Sequence, residues 1–448
     1  MDPGLRIDAL CPKKAVKSNQ VFNISRLDGR ILPEMNTDLN QTVLSVITLQ
    51  GDGIGPEIMA AACDVLDAAV EKAFHSQRRI HWQPYPAGNQ SYKETGHPLP
   101  EQTLEAIRTN HLALKGPLTT PVGGGMQSLN VLLRQQLDLY VCQRPVRSIP
   151  TLPSPLANTK PIDVVIFREN SEDLYTGIEF AAGSPENKRF LKILSGEFSS
   201  AFESLPFKQE VGIGIKPISR QASQRITRAA IQWALQKNRK KLTLVHKGNI
   251  MKYTEGAFLN WAYDVAEQEF ADKCFTQRRF LEVQKASGAA AAQAERARAE
   301  QTGLLMVNDV IADVAFEQAI LQPQSFDVLV TTNLNGDYLS DAFAALAGGV
   351  GISPGANINP ELGLGVFEAN HGSAEAIAGQ DKANPCSLIL SGAMLLDFAG
   401  WTAAADLVRA GVQRAIADRR VTFDLARLMP DAQVVGTRQF TQQIITLM

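Results

Sequence analysis

The feature that most constrains the fold is a series of short apolar runs that alternate with helical patterns. Residues 42–50 read TVLSVITLQ and are rich in β-branched side chains, as a buried strand is. They run through a glycine-containing turn into a helix predicted over about 56–74. Similar strand patterns occur further along the chain, at 111–116, 163–167, 212–216, 242–246 and 327–332. This alternation predicts an α/β protein with a parallel or mixed sheet.

Length and net charge bear on the number of lobes and on the partners that can be expected. At 448 residues, the chain exceeds the size at which one hydrophobic core usually stops growing, so two lobes are expected. Lys and Arg number 44 against 46 Asp and Glu, which gives a net charge of −2. A nearly neutral chain gives no reason to expect nucleic acid or an anionic membrane as a partner.

Cysteine usage and apolar stretches bear on location. The five cysteines are scattered and form no C-x-x-C pair: Cys11, Cys63, Cys142, Cys274 and Cys386. This pattern predicts neither a disulfide framework nor a zinc site, and it favours a reducing compartment. The first residues lack the apolar core of a signal peptide. Residues 387–401 are too short and too polar at Asp397 to cross a membrane, so they predict a buried helix. A cytoplasmic location is expected.

A glycine turn after the first strand resembles a dinucleotide-binding fingerprint but departs from it. Gly51, Gly53 and Gly55 are spaced G-x-G-x-G, and Pro56 follows at once. The fingerprint requires a third glycine one position later and an acidic residue about 20 residues on. We therefore interpret the glycines as a tight strand-to-helix turn.

A polar helix start and several arginines suggest an anion site. Ser128 is a candidate N-cap with Asn130 beside it, at a helix end whose N–H groups favour negative charge. Arg134 lies further along this helix, Arg144 follows it, and Arg168 follows the strand at 163–167. Guanidinium groups match carboxylate geometry, so three of them fit a tricarboxylate.

Four aspartates form two pairs with i, i+4 spacing. The pairs are Asp309 with Asp313 and Asp337 with Asp341, and this spacing predicts that each pair shares a helix face. Carboxylate oxygens at strand ends and helix starts suit Mg²⁺ or Mn²⁺.

A tyrosine–lysine pair and an Ala-rich segment are the remaining notable features. Tyr175 and Lys247 could relay a proton if the fold brings them together. The Ala-rich residues 286–301 have high helix propensity and small apolar side chains, so they predict a surface helix or an inserted hairpin.

Taken in order, several motifs resemble the bacterial-type isocitrate dehydrogenases. These belong to the β-decarboxylating dehydrogenase family, with the isopropylmalate, homoisocitrate and tartrate enzymes. The resemblance runs from about Thr42 to the last residue, leaving out residues 1–40, and the Ala-rich segment departs from it. The motifs are SLNVLLRQQLDLYVCQRPVR, FRENSEDLYTGIE, LVHKGNIMKYTEGAF, NDVIADVAF, TTNLNGDYLSD, GGVGISPGAN, HGSAEAIAGQDKANP and VTFDLARL.

The resemblance implies an α/β fold that is not a classical Rossmann fold, in a homodimer with shared active sites. It implies an N-terminal extension over 1–40 and a discontinuous large domain over 41–139 and 348–448. A small domain would cover 140–172 and 219–347, and a clasp would cover 173–218.

It also implies a function and site residues, carried over by motif. The activity would be oxidative decarboxylation of isocitrate to 2-oxoglutarate with a nicotinamide cofactor and Mg²⁺ or Mn²⁺. Proton transfer would fall to Tyr175 and Lys247. The implied substrate residues are Ser128, Asn130, Arg134, Arg144 and Arg168. The implied metal ligands are Asp337 and Asp341, with Asp309 from the partner subunit. The implied cofactor residues are Thr119, His371, Gly372, Ser373, Ala374, Glu375, Ala376, Ile377, Asn384, Phe423 and Arg427.

Departures from the NADP pattern of this family predict a preference for NAD, with NADP as the alternative. Ala376 and Ile377 stand where NADP forms carry Lys and Tyr, and Phe423 replaces a second Tyr. Glu375 adds negative charge near the expected 2′-phosphate, whereas Arg427 retains the matching arginine. Each lost charge-assisted hydrogen bond costs about 1.5–3 kcal/mol.

Three alternatives remain to be weighed. An isopropylmalate enzyme would need apolar side chains near 128–130, and the polar Ser128 and Asn130 disfavour it. Homoisocitrate also carries three carboxylates and stays open. A non-catalytic regulatory subunit would be expected to lose a metal aspartate, an arginine or the tyrosine–lysine pair, but all are present.

Overall fold

A computed structural model describes residues 42–119, 128–155 and 161–448. The N-terminal extension predicted over 1–40 therefore lies outside the described residues. Most strands belong to one large sheet, in chain order β1 (Val43–Leu49), β2 (Arg79–Pro84), β3 (Leu112–Lys115), β4 (Val141–Arg147), β5 (Asp163–Glu169), β8 (Lys241–His246), β9 (Cys274–Thr276), β10 (Leu305–Ile311), β11 (Val328–Thr331), β12 (Pro354–Asn359) and β13 (Leu364–Ala369). The remaining strands form two small pairs, β6 (Glu179–Phe180) with β7 (Ile213–Gly214) and β14 (Arg420–Val421) with β15 (Gln433–Val434).

The large sheet is mixed, and its reversal lies near its centre. Its order is β2-β1-β3-β13-β12-β4-β5-β11-β8-β10-β9. Pairing is parallel except for β13 with β12, β12 with β4, and β4 with β5. Because β4 runs against β5, Cys142 faces Arg168 across the ladder and Arg144 faces Ile166. The two arginine-bearing strands are thus direct neighbours.

Helices cover the sheet and connect its strands. They are α1 (Gly55–Phe74), α2 (Asn89–Thr95), α3 (Glu101–Asn110), α4 (Leu129–Gln136), α5 (Pro185–Glu197), α6 (Ser199–Glu203), α7 (Arg220–Gln236), α8 (Glu255–Gln268), α9 (Gln277–Ser287), α10 (Ala289–Gln301), α11 (Ala312–Leu321), α12 (Asn333–Ala347), α13 (Cys386–Phe398), α14 (Thr402–Ala417), α15 (Phe423–Ala426) and α16 (Thr437–Leu447). The β-strand and helix alternation confirms the predicted α/β class.

Most predicted elements are confirmed, with one correction. The buried strand expected at 212–216 is wrong, since only Ile213 and Gly214 pair, with β6, and they are partly exposed. Alternating glycines leave this segment with too little side chain to bury. Residues 387–401 largely form the buried α13, as predicted.

The Ala-rich segment forms the second arm of a helical hairpin. Gly288, with φ of +86°, separates α9 from α10. Arg279 of α9 donates to Glu295 of α10 over 2.7 Å. Only Ala292 and Ala299 of α10 are buried, which confirms the prediction of a surface hairpin.

The glycine turn is tightly enclosed, as interpreted from its sequence. A Cβ on Gly53 would lie 2.0 Å from the Ser373 carbonyl oxygen, and one on Gly51 would lie 2.2 Å from that of Pro117. Both glycines also have positive φ. Between them, Asp52 accepts hydrogen bonds from the backbone N–H groups of Asn89 and Thr119.

Cysteines and membrane spans follow the sequence-based expectations within the described ranges. Cys63, Cys142, Cys274 and Cys386 are free thiols. Across residues 42–119, 128–155 and 161–448, none of the helices has the length and apolar character needed to cross a bilayer.

Candidate active site

Three buried arginines converge beside the centre of the sheet. Arg144 lies on β4, Arg168 on β5 and Arg134 on α4, and each is at most 9% exposed. The Nε atoms of Arg134 and Arg144 are buried and have no hydrogen-bond partner among the described residues. Burial, and then the positive charge of Arg144, lowers the pKa of Arg168. A site with three buried guanidinium groups and unsatisfied N–H donors suits a polyanion.

Asp337 on α12 joins this cluster. It pairs with Arg168, accepts a 2.5 Å hydrogen bond from the Tyr175 hydroxyl and lies 4.0 Å from Arg144. Burial raises the pKa of Asp337, but Arg168, Tyr175 and Arg144 outweigh it, so the net pKa is lowered. The carboxyl is therefore ionised at neutral pH.

Asp341 lies one turn further along α12. As predicted from the i, i+4 spacing, it shares a helix with Asp337, and its carboxylate is 3.6 Å from Arg144. Burial raises its pKa, with Arg144 opposing the shift.

Tyr175 is held as a proton donor. Its ring centroid lies 4.9 Å from the Arg168 guanidinium carbon. Burial raises the pKa of Tyr175 to about 12, against the opposing charge of Arg168 and with help from Asp337. The phenol thus stays protonated near neutral pH and can donate a hydrogen bond. We call Arg134, Arg144, Arg168, Tyr175, Asp337 and Asp341 the arginine cluster.

A second polar group, the lysine cluster, gathers at the ends of β8 and β10. It consists of His246, Lys247, Tyr263, Asp309 and Asp313. Lys247 pairs with Asp313 through its ammonium group. Asp309 accepts from the Tyr263 hydroxyl over 2.5 Å and lies 3.2 Å from His246 Nε2. Burial raises the pKa of Asp309, but hydrogen bonds from His246 and Tyr263 outweigh it and lower the net value.

The predicted helix face for Asp309 and Asp313 is wrong, and the predicted proton relay between Tyr175 and Lys247 is not formed among the described residues of one chain. Asp309 and Asp313 do not share a helix face, because β10 ends at Ile311 and α11 begins only at Ala312. Tyr175 and Lys247 make no contact with each other within the described parts of the chain; each bonds a different aspartate.

The predicted metal ligands are divided between the two clusters. Asp337 and Asp341 belong to one and Asp309 to the other. Among the described residues, no three His, Cys, Asp or Glu side chains are grouped closely enough to hold an ion. The carboxylate oxygens of Asp337 and Asp341 nevertheless have the chemistry that Mg²⁺ and Mn²⁺ prefer.

A buried ion network that sequence reasoning missed supports two of the predicted substrate residues, Asn130 and Arg134. Glu368 of β13 lies 2.7 Å from both Lys115 of β3 and Arg134. Lys115 also donates to the Asn130 side-chain oxygen over 2.9 Å. Burial raises the pKa of Glu368, yet Lys115 and Arg134 outweigh it and leave the pKa well below its usual range. The available signal was a lysine ending an apolar strand, since a buried lysine needs a partner.

Ser128 occupies the N-cap position of α4, where the sequence placed it, although its side chain makes no capping hydrogen bond. Asn130 follows in the first turn of this helix. Both residues therefore stand at the same helix start, close to the network of Lys115 and Glu368.

The predicted cofactor residues come from two loops and the start of α15. The Thr119 hydroxyl donates to Glu375 over 2.9 Å and lies 3.0 Å from the Ser373 hydroxyl. The loop also contains Gly372, Ala374, Ala376 and Ile377, and the Ile54 N–H donates to the Ser373 carbonyl. His371 Nε2 is buried with no hydrogen-bond partner, and burial lowers the pKa of His371.

The region expected to meet the adenosine end is open. Asn384 donates to Asp424 over 2.8 Å, and the neighbouring Phe423 is 41% exposed. Arg427 is exposed, its backbone N–H donates to the Phe423 carbonyl over 3.2 Å, and none of the described side-chain contacts involves its guanidinium group. Glu375 accepts from Thr119 and makes no described contact with Arg427.

Known proteins resemble this chain over most of its length. A sequence model described as isocitrate/isopropylmalate dehydrogenase matches residues 45–444. A Staphylococcus epidermidis protein named isocitrate dehydrogenase (NADP) is 50% identical over 395 residues, which are 88% of this chain and 93% of the relative. A Pseudomonas aeruginosa protein of the same name is 47% identical over 403 residues, covering 89% of this chain and 92% of the relative.

Among solved structures, isocitrate dehydrogenase from Methylococcus capsulatus superposes with a TM-score of 0.71 at 36% identity. The match covers 90% of this chain and 98% of that one.

The expected NAD preference is wrong. Similar relatives over most of the chain are named for NADP. The prediction counted the donors lost at Ala376, Ile377 and Phe423, but it gave too little weight to an exposed arginine with no competing partner in the described chain.

Proposed function

The chain belongs to the isocitrate/isopropylmalate dehydrogenase family, and from that premise we propose that it oxidatively decarboxylates isocitrate to 2-oxoglutarate and CO₂ with NADP and a divalent cation. The observation that carries the proposal is the arginine cluster, in which buried N–H groups of Arg134 and Arg144 lack partners. A tricarboxylate would satisfy them.

The arginines bind and orient the substrate. Arg134 is held by Glu368, and Arg144 donates to the Ser340 hydroxyl over 2.9 Å, so both are fixed before substrate arrives. Such preorganisation lowers the entropy that binding would otherwise cost. Ser128 and Asn130 would add polar contacts at the start of α4.

Asp337 and Asp341 would hold the divalent cation, with Asp309 contributed by a second copy of the chain. When bound, NADP accepts the hydride, and the cation polarises the substrate oxygens beside it.

Tyr175 would supply the proton that replaces the lost carboxylate. Its pKa of about 12 keeps it protonated until charge develops beside it, and the Arg168 cation lies against its ring. Lys247 would remove the hydroxyl proton during oxidation.

We also propose that the active sites are shared between two subunits. Lys247 and Asp309 lie in the lysine cluster, whereas the other proposed catalytic and metal residues lie in the arginine cluster. A homodimer would bring the lysine cluster of one subunit to the arginine cluster of the other. The large domain, small domain and clasp boundaries, and the cytoplasmic location, stay predictions alongside it.

Arg427 would bind the 2′-phosphate of NADP. Arg427→Ala should lower kcat/KM for NADP about 10- to 150-fold and leave that for NAD nearly unchanged. Arg414→Ala is the control, because Arg414 is on α14 and donates to the Leu447 carbonyl. Equal losses with both cofactors would remove Arg427 from phosphate binding.

The deciding test of the function is a steady-state assay with Mg²⁺. Isocitrate, homoisocitrate and isopropylmalate are each paired with NADP and with NAD. We expect the highest kcat/KM for isocitrate with NADP, and loss of activity on chelation. Faster turnover of homoisocitrate would assign the site to that substrate, and no turnover of any of the three would refute the proposal.

A further inference from the structure

Glu255 begins α8 and is completely buried, yet it belongs to neither cluster. Its Oε1 accepts from the Thr332 hydroxyl over 2.8 Å and lies 2.9 Å from the Lys216 ammonium. Its Oε2 accepts from the Lys247 backbone N–H over 2.9 Å and from the Asn335 side chain over 2.8 Å. Four donors fill the lone-pair positions of one carboxylate.

These donors come from segments that carry proposed catalytic groups. Lys247 is itself the proposed base. Thr332 and Asn335 stand at the start of α12, the helix of Asp337 and Asp341. Glu255 thus joins the lysine-bearing turn to the metal-bearing helix through its two oxygens.

Lys216 extends the network to Tyr175. Its ammonium lies 2.5 Å from the Asp173 carboxylate, which is also completely buried. Asp173 is the first residue of a short 3-10 helix, Asp173–Thr176, which contains Tyr175. The second oxygen of Asp173 accepts from the Leu334 N–H at the start of α12. One partly buried lysine therefore links two buried carboxylates, and both carboxylates also bond residues of α12 or its N-cap.

An ordinary role in helix capping does not account for Glu255. An acid in the first turn of a helix is stabilised by the N–H groups of that helix. None of the four donors to Glu255 belongs to α8. Buried ion pairs are also poor sources of stability compared with apolar packing, and their best-attested use is to fix a unique geometry.

We propose that Glu255 is a positioning residue. With Lys216 and Asp173, it holds the Lys247 turn, the Tyr175 turn and α12 of one subunit in fixed relative positions, so that each group is correctly placed in the shared active site that it serves. The proposal rests on the proposed function. Glu255 touches none of the substrate-binding arginines in the described contacts, so its loss affects turnover rather than substrate affinity.

Glu255→Gln is the first test, and Glu267→Gln is its matched control. Glu267 lies near the opposite end of the same helix and also accepts from several donors, Thr276 and Arg278. Glu255→Gln should lower kcat about 10- to 100-fold, since misplacement of catalytic groups by about 1 Å has effects of that order. KM for isocitrate should stay within about threefold. Glu267→Gln should keep wild-type kcat.

If Glu255→Gln does not fold, two less disruptive variants of Thr332 test the positioning role instead. Thr332→Val removes one hydroxyl donor at nearly constant volume, and Thr332→Ser restores it. We expect Thr332→Val to lower kcat by about three- to tenfold with little change in KM, and Thr332→Ser to recover it.

The outcomes separate the two proposals. A wild-type chain that does not oxidise isocitrate refutes the function itself. An active wild type with unchanged kcat in Glu255→Gln, or in Thr332→Val where the first variant is unfolded, refutes the positioning role. A rise in KM with constant kcat would also overturn it, because that pattern belongs to a binding residue.

Discussion

The arginine cluster and the lysine cluster both combine cations with aspartates, but they differ in their surroundings. Arg144 and Arg168 have side chains that are 6% and 1% exposed, whereas Lys247 is 31% and its partner Asp313 is 65% exposed. In the first cluster, buried N–H groups lack partners; in the second, every member is paired. A buried group that lacks a partner is costly, while an exposed pair contributes little. The first region is therefore prepared for a ligand, and the second is available to another protein surface.

The largest expected effect on activity comes from removing one buried cation of the arginine cluster. Arg168→Met should lower kcat/KM for isocitrate roughly 10²- to 10⁴-fold, because it breaks a buried charge pair and leaves Asp337 undercompensated. Arg147→Met is the control, since Arg147 is a half-exposed residue of the neighbouring strand that pairs with Asp163. Comparable losses in the two variants would mean that burial does not distinguish these arginines.

A smaller effect separates the aspartates of the two clusters. Asp337→Asn should raise the Mg²⁺ concentration needed for half-maximal activity roughly 100-fold, because it removes a charged oxygen ligand. Asp313→Asn should leave that concentration within about twofold, since an exposed pair with Lys247 contributes little. Titration of activity with Mg²⁺ gives both values. Identical saturation of Asp337→Asn and wild type would place the cation elsewhere.

Subunit mixing tests whether the clusters act together across an interface. Arg168→Met and Lys247→Met should each be nearly inactive as homodimers. When the two are co-expressed, each hybrid dimer contains one of its two sites with both residues intact, so about half of wild-type activity should return in the hybrid. Activity is measured on purified hybrids that carry different affinity tags. If the clusters served the same subunit, no activity would return.

The smallest expected effect concerns acid stability. The pKa of Asp309 is lowered in the folded protein, although burial alone would raise it, because His246 and Tyr263 bond the carboxylate. The sign follows from linkage: this stabilisation is present above the unfolded pKa of about 3.9 and is lost as pH falls through the lower folded value. Asp309→Asn should therefore destabilise the protein by less than about 1 kcal/mol at neutral pH, with the difference vanishing in acid. Denaturant unfolding across pH measures it, and a difference that grows toward acid would contradict the assignment.

The sequence predicted the members of the arginine cluster better than their partners. Arg168 could be identified because it follows a recognisable strand, and Arg144 because it follows the helix of Ser128 and Asn130. The Asp337–Asp341 spacing correctly indicated one helix. Glu368 and Glu255 could not be identified in this way. Their partners lie far along the chain, and only tertiary structure brings Lys115 to Glu368 or Thr332 to Glu255.

Two errors have physical causes of the same kind. The i, i+4 spacing of Asp309 and Asp313 is compatible with a helix, but it cannot reveal that a strand ends between them. Likewise, the NAD prediction summed local losses of donors. It could not show that Glu375 accepts from Thr119 and makes no described contact with Arg427, whose side chain is exposed.

The strand order has a consequence for how the protein is made. β3 pairs with β13, and Leu112 lies opposite Gly365 in that ladder. The β3–β13 pairing therefore cannot form until Gly365 has been synthesised. During synthesis on the ribosome, the strands that emerge first have an open edge until most of the chain has been translated. Pairings over such long separations slow folding and expose strand edges to aggregation in the meantime. The early strands therefore depend on protection in the cell until the last third of the chain closes the sheet.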